Sequence, residues 1–343
     1  MKKIINYTLL TLSPLLFLNC GSSSSSTSQE EDTLILTPII NESNTSILNP
    51  IENDIPNNES ELPSSENLPI ETEIPISFPN NGAIELKYRL SDTIKESSGL
   101  IYMDNQLWTH NDSGNEAKLY QIDTNSGEIL KTVTINNASN IDWEDISYDD
   151  NYIYIGDFGN NNGDRSDLKI YKIVRDELNT EDSIDAEVIN FNYSDQTQLG
   201  DRDFDCEAMV VHKDKLYLFS KDWNDFQTRL YVLDTQAGTQ TANYIESFNI
   251  QGLVTGATFN SELNTLLLST YSTRLNVSIW SFSNFNNNFF DGESKQLILT
   301  PPLQAQVEGI TFIDNNHLYL SSEAFSEPTY GISWSNNLYE VSF

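Results

Sequence analysis

Five oxygen-bearing residues, Ser98, Glu144, Glu207, Thr255 and Glu308, each open a short apolar run, at separations of 46, 63, 48 and 53 positions. If the runs are equivalent, these groups converge on one axis. Three carboxylates facing each other repel unless some are protonated or a cation lies between them. A hard cation with several oxygen ligands answers that repulsion. An irregular ring of five protein groups and water suits Ca²⁺ better than octahedral Mg²⁺. The alternative is that the five side chains only bond backbone amides at the start of their runs. Five oxygen-bearing residues at equivalent positions favour the metal, because a buried charge requires a partner.

A second set of polar residues follows each run. It comprises His110-Asn111-Asp112-Ser113-Gly114, then Asp157, Asn160 and Arg165, then Lys221-Asp222-Trp223, the stretch from Tyr271 to Arg274, and Ser322-Glu323. Arg202, in the acidic segment before Glu207, is expected at the same rim. A strongly acidic chain thus gathers Arg165, Lys221, Arg274 and Arg202 around one mouth. That suits a small anionic ligand held by charge-assisted hydrogen bonds, with Trp223 or Tyr271 available for stacking. Asn111, Asp157, Asn160, Asp222 and Glu323 join the cations as expected ligand-binding residues. Asp112 is the candidate for a metal-water or base role, and His110 the candidate acid/base group. Asn111-Asp112-Ser113-Gly114 is also a good turn on conformational grounds alone. No Gly-x-Ser-x-Gly elbow is present to support a serine hydrolase. Cys206, beside Glu207, reads as a packed small hydrophobe rather than a nucleophile.

The elements that must position these groups are short strands. Residues 81–343 alternate between runs rich in Tyr, Ile, Leu and Val and clusters of Asn, Asp, Gly and Ser, with no convincing helical period. The heads are Ser98-Gly-Leu-Ile-Tyr102, Glu144-Asp-Ile-Ser-Tyr148, Glu207-Ala-Met-Val-Val211, Thr255-Gly-Ala-Thr-Phe259 and Glu308-Gly-Ile-Thr-Phe312. Each is followed by a second strand (Leu107-Trp-Thr109, Ile153-Tyr-Ile155, Leu216-Tyr-Leu218, Leu266-Leu-Leu268, Leu318-Tyr-Leu320) and by a third carrying an aromatic. Fourth strands are expected at 127–135, 186–193, 242–250 and 295–300. The fifth unit lacks one, and residues 83–90 form an unassigned strand before the first head. The pattern predicts an all-β, five-bladed β-propeller whose N-terminal strand closes the last blade. Six blades is the competing count, but no sequence is left over for the extra one.

The order of heads resembles that of the soluble calcium-dependent apyrases, five-bladed propellers that hydrolyse nucleoside diphosphates around a central calcium. In that family the blades open with Ser, Glu, Glu, Ser and Glu, and the last head reads Glu-Gly-Ile-x-Phe. Here Thr255 is the one departure, and the last head is Glu308-Gly-Ile-Thr-Phe312. The likeness covers the heads and a few second strands. It implies an axial Ca²⁺ held by Ser98, Glu144, Glu207, Thr255 and Glu308, and hydrolysis of a phosphoester. The family's first-blade turn, Asp-Asp-Arg-Thr-Gly, corresponds here to Asn111-Asp112-Ser113-Gly114. Asp112 is kept, but the arginine is absent. The Glu-Gly-Ile type of head is similar, too, to that of bacterial propellers grouped with phytase-like esterases, which implies little about substrate.

Residues 1–19 have the layout of a secretory signal, with Lys2 and Lys3 before the apolar stretch 9–18. Cys20 follows directly and resembles the lipidated cysteine of a lipobox, although Asn19 departs from the usual small residue. Residues 21–80 hold eleven Asp or Glu and no Lys or Arg, with many Ser, Asn and Pro. That mixture cannot bury enough apolar surface to order itself, so residues 20–80 are expected to be a disordered, lipidated stalk. Of the net charge of −33, about −24 belongs to residues 81–343 once the stalk acids and the two signal lysines are set aside. Nucleic acid is a poor partner for such a surface and a cation a good one. The expectation is an exported monomer, tethered by lipid to a membrane of a bacterial cell envelope. It would bind a small anionic ligand, with hydrolysis of a phosphoester or ester as the sharper version and a glycan- or protein-binding module as the other reading.

Overall fold

In the computed structural model, residues 78–327 and 332–343 are described. The signal segment, Cys20 and the stalk up to residue 77 lie outside the described residues. Phe78 is buried against Phe343, with ring centroids 4.7 Å apart, so the last residues assigned to the stalk already belong to the folded domain.

The described chain is all-β and propeller-type. After β1 (Asn81–Arg89), a first antiparallel run comprises β2 (Ser97–Met103), β3 (Gln106–Asn111), β4 (Lys118–Ile122) and β5 (Ile129–Ile135). The second has β6 (Trp143–Tyr148), β7 (Tyr152–Asp157) and β8 (Lys169–Val174). After a short β9 (Ser183–Ile184), which pairs with β5, it ends in β10 (Glu187–Tyr193). The third has β11 (Cys206–His212), β12 (Lys215–Ser220), β13 (Thr228–Asp234) and β14 (Gly238–Phe248). The fourth has β15 (Leu253–Asn260), β16 (Thr265–Tyr271), β17 (Val277–Ser283) and β18 (Glu293–Thr300). The last has β19 (Val307–Phe312) and β20 (His317–Ser322). Beyond the hairpin of β21 (Phe325–Glu327) and β22 (Ile332–Trp334), it continues with β23 (Asn337–Ser342). There β1 lies antiparallel to β23, from Ala83 opposite Ser342 to Arg89 opposite Asn337. Parallel pairing of outer edges, β10 with β14 and β1 with β18, joins neighbouring runs into two eight-stranded sheets.

Local sequence explains the hairpins. Asp104 and Asn105, at φ 52° and 60°, supply the two left-handed residues that a two-residue turn between β2 and β3 needs. Inside the runs, alternating apolar residues point to both faces. Five apolar clusters fill the seams between adjacent runs. One of them gathers Trp108 and Leu119 of the first run with Trp143, Ile155 and Tyr171 of the second. The seam between last and first joins Leu100, Leu107 and Tyr120 to Tyr319 and Leu338. Fully burying each large side chain contributes about 1.5–3 kcal/mol.

The first strands β2, β6, β11, β15 and β19 contact one another in a closed ring. At the start of each, pairing with the second strand slips by one residue. The residue skipped is Gly99 in β2, then Glu144, Glu207, Thr255 and Glu308. Such a bulge re-aims a side chain out of the sheet. The residue after each of the last four is Asp145, Ala208, Gly256 or Gly309. Space here is tight: a Cβ on Gly256 would lie 2.5 Å from the Glu308 carbonyl oxygen. Only Asp145 carries a polar side chain at this level. It is fully buried and accepts the amides of its own neighbour Ile146 (2.8 Å), of Met209 in β11 (2.7 Å) and of Ala257 in β15 (3.2 Å).

Asp145 therefore ties three first strands together. Leaving a buried amide unpaired costs about 1–3 kcal/mol. Asp145→Ala is expected to lower unfolding stability by at least about 3 kcal/mol, and Asp145→Asn by less. Urea denaturation followed by tryptophan fluorescence checks this; equal stability of Asp145→Ala and wild type would contradict it.

Candidate functional site

The bulges turn Glu144, Glu207 and Glu308 toward one end of the ring axis, where all three are almost wholly buried. The five head residues nevertheless do not form one even ring. Ser98 donates its hydroxyl to the Glu144 carbonyl oxygen at 2.5 Å, and Thr255 donates to the Val307 carbonyl at 2.6 Å. Both hydroxyls thus stitch a first strand to the next one around the ring. Glu207 holds the buried ammonium of Lys221 at 2.6 Å. Burial works to lower the Lys221 pKa, but the charges of Glu207, Glu308 and Asp205 and the nearby Tyr271 outweigh it and hold it well above the usual lysine value.

The other carboxylates crowd together without such a partner. Donor oxygens of Asp112, Asp142 and Glu144 lie within 4.8 Å of one another, as do those of Asp112, Glu308 and Glu323. Asp112 and Glu323 occupy the position just after the second strand of their runs, as Lys221 does in the third run. Asp142 stands two residues before Glu144, just ahead of β6, and its carboxylate reaches the same group. Glu144 is 3% exposed, and its carboxylate accepts no hydrogen bond from the described residues. Glu308 is met only by the Tyr271 hydroxyl at 3.5 Å and by the Glu323 carboxyl, and Glu323 Oε1 is buried without a hydrogen-bond partner. Gly159 makes the close approach possible: a Cβ there would stand 2.1 Å from Glu144 Oε1 and 2.6 Å from Asp142 Oδ2.

Burial pushes Asp112 up to about 6, and burial together with the Asp112 and Asp205 charges pushes Asp142 up to about 7. Glu308 rises to about 7 through burial, against the pull of Lys221. Burial and then the charges of neighbouring acids lift Glu144 and Glu323 well above the carboxylate range. The donor set is all oxygen, with neither His nor Cys, which is the chemistry of a hard cation such as Ca²⁺.

Several residues expected at the mouth serve instead as internal braces. His110 is fully buried, edge-on to Trp143 at 5.6 Å, with Nδ1 3.1 Å from the Asn111 carbonyl oxygen. Burial lowers its pKa to about 4, so it is neutral at pH 7, and its Nε2 is buried without a hydrogen-bond partner. Asn111 donates to the Thr93 carbonyl (2.9 Å). Asn160 donates its side-chain amide to Phe204 and accepts from the Arg165 amide (2.8 Å). Asp157 accepts from the Arg165 guanidinium (2.9 Å) and the Asp142 amide (3.1 Å). Asp222 is paired with Arg229. Arg202 stacks over Trp223 at 4.8 Å and donates to the Asn161 carbonyl. Arg274 is exposed and forms no ion pair with the described residues. Acidic groups in the interior thus take up two of the four cations expected at the rim, Arg165 and Lys221. Asp142 is the residue that reading the sequence missed; its signal was the acid two positions before a head, repeated by Glu96 before Ser98 and Asp205 before Glu207.

No protein-family profile matches the chain, and no curated protein matches its sequence. Among solved structures, it is similar to the PQQ-bound aldose sugar dehydrogenase of Streptomyces coelicolor. Identity is 9% and the TM-score 0.46, over 77% of this chain and 99% of that one. It is also similar to a chain of a nidogen/laminin complex, with 15% identity and a TM-score of 0.40, over 73% and 86% of the two chains. The apyrase resemblance rests on the five heads.

The raised carboxylates set a pH dependence for the metal-free protein. Between the ordinary carboxylate pKa near 4 and about 7, the folded state keeps protons that the unfolded state has released, so stability falls as pH rises through that window. In chelator, the melting temperature is expected to drop by several degrees from pH 5 to pH 7.5 and to recover at pH 7.5 on adding calcium. Thermal melts at both pH values check this, and a melting temperature that does not fall with pH would contradict it.

Proposed function

We propose that this protein is an exported lipoprotein, tethered through Cys20 to a membrane of the cell envelope. Its five-bladed propeller, with β1 as the outer strand of the last blade, would bind Ca²⁺ at one mouth and use it to hold a small anionic ligand. The blade count is supported by five antiparallel runs, five inter-run cores and a closed ring of five first strands. The observation that carries the calcium reading is Glu144, a buried residue whose carboxylate lies beside those of Asp112 and Asp142 and accepts no hydrogen bond from the described residues. A buried carboxylate in that state requires a proton or a cation.

The donors fit calcium better as the set Asp112, Asp142, Glu144, Glu308 and Glu323 than as the even ring of five heads. A bound calcium supplies positive charge that can polarise an oxygen of an anion or of water. The chain's own residues hold that charge at the mouth. Lys221, fixed by Glu207, adds a permanent cation beside the carboxylates. Asp112 stands as a ligand rather than a free base, and His110 is fully buried and neutral at pH 7. Binding of an anion is thus the better-supported version, and hydrolysis of a phosphoester the sharper one.

Metal analysis of the purified protein is expected to find calcium that chelator removes. A phosphoester and nucleotide panel, run with and without calcium, then separates the versions. Calcium-dependent turnover makes the protein a hydrolase. Bound calcium without turnover leaves a binding module, for a small anion or for glycan or protein, and absence of calcium binding removes the reading altogether. The anchor is tested separately. Cys20→Ala should move the protein from the membrane fraction to the soluble one, and retention in the membrane fraction would refute lipid tethering.

A further inference from the structure

We propose that the mouth binds two hard divalent cations rather than one, with Asp112 as the carboxylate shared between them. The inference rests on the calcium reading above and deepens it. The two groups of close carboxylates, Asp112 with Asp142 and Glu144, and Asp112 with Glu308 and Glu323, have Asp112 alone in common. Ring order explains this. Asp112 belongs to the first run, whose first strand β2 contacts β6 on one side and β19 on the other. Asp142 and Glu144 come from the second run, and Glu308 and Glu323 from the last. Each group therefore spans one seam, and Asp112 stands at the junction.

Each group also contains an acid that lacks a hydrogen bond: the buried residue Glu144 in one, and Glu323, through its buried Oε1, in the other. On one side Glu144 is 3% exposed, and its carboxylate accepts no hydrogen bond from the described residues. On the other, Glu308 is 4% exposed, and Glu323 Oε1 is buried without a partner. Charge decides between one ion and two. With Glu207 neutralised by Lys221, these five carboxylates carry five formal negative charges. One divalent cation cancels two and leaves three like charges in a poorly solvated space; a second leaves one. The first run offers the room for this, because its head is Ser98, whose hydroxyl is turned to the Glu144 carbonyl, where three of the other runs carry a glutamate. A carboxylate bridging two cations is a common arrangement in sites that grip phosphoryl oxygens from two sides, which matches the small anion proposed for this mouth.

The test is calcium stoichiometry of the full chain in detergent, by equilibrium dialysis and isothermal titration with calcium alone. Two ions per wild-type chain are expected. Asp142→Asn and Glu323→Gln should each keep one, and Asp112→Asn should lose both or bind both at least ten-fold more weakly. One ion in the wild type overturns the two-ion inference and leaves the calcium reading standing; no ion removes both. Two ions that survive in both Asp142→Asn and Glu323→Gln would put the ions elsewhere, and would overturn the inference as well. If a variant fails to fold, the wild-type count and energy transfer between terbium and europium bound to the same chain still decide, since transfer requires adjacent ions.

Discussion

Asp145 is the buried carboxylate on which three of the five first strands, β6, β11 and β15, converge. Strands that converge on an axis bring backbone amides together with no neighbouring strand to accept from them, and a buried amide left unpaired is expensive. One carboxylate solves this for three strands by accepting from Ile146, Met209 and Ala257. The equivalent places carry Ala208, Gly256 and Gly309, and the two glycines keep neighbouring first strands close: a Cβ on Gly256 would lie 2.5 Å from the Glu308 carbonyl oxygen and one on Gly309 2.8 Å from Leu100 Cβ. Successive residues of a strand point in opposite directions. Asp145 can therefore plug the axis while Glu144 turns to the mouth, so the brace and the site are built from adjacent residues.

The mouth itself is an electrostatic problem with a partial internal answer. Lys221 meets Glu207 and stays charged because acidic groups surround it on several sides. The remaining carboxylates form no ion pair among the described residues: Lys221 acts on them only from its place beside Glu207, Arg165 is committed to Asp157 and Arg229 to Asp222. Their raised pKa values come first from burial and then from the neighbouring acids. A cation added from outside would supply what the chain withholds, and would leave an electropositive surface open to an anion in an otherwise acidic domain. This accounts for how a chain with a net charge of −33 could attract an anionic ligand without a cationic rim.

Much of the architecture was legible in the residues. Alternation of Tyr, Ile, Leu and Val with Asn, Asp and Gly turns marks the strands, and the repeated heads mark where each run begins. The unassigned strand before the first head becomes β1, which pairs along β23 and so extends the last run. The heads were harder to read for function. Their type named oxygen donors, but a hydroxyl can equally donate to the next strand, as Ser98 and Thr255 do, and no local pattern separates these outcomes. His110 was misleading for a related reason: its neighbours in sequence are polar, whereas its neighbours in space are Trp143 and the backbone around Gly99.

By itself, then, the sequence determined the strand periodicity, the repeat and the concentration of oxygen donors at one end of each run, because these follow from side-chain chemistry and the two-residue period of a strand. Only the tertiary structure decided which of those donors meet. Asp112, Asp142 and Glu144 approach across one seam, and Asp112, Glu308 and Glu323 across another, while Glu207 is claimed by Lys221. The physical reason is the ring. Residues up to 211 positions apart in the chain are placed within a few ångströms by the order and spacing of the packed antiparallel runs, and that spacing is set by the cores between them, not by any single run.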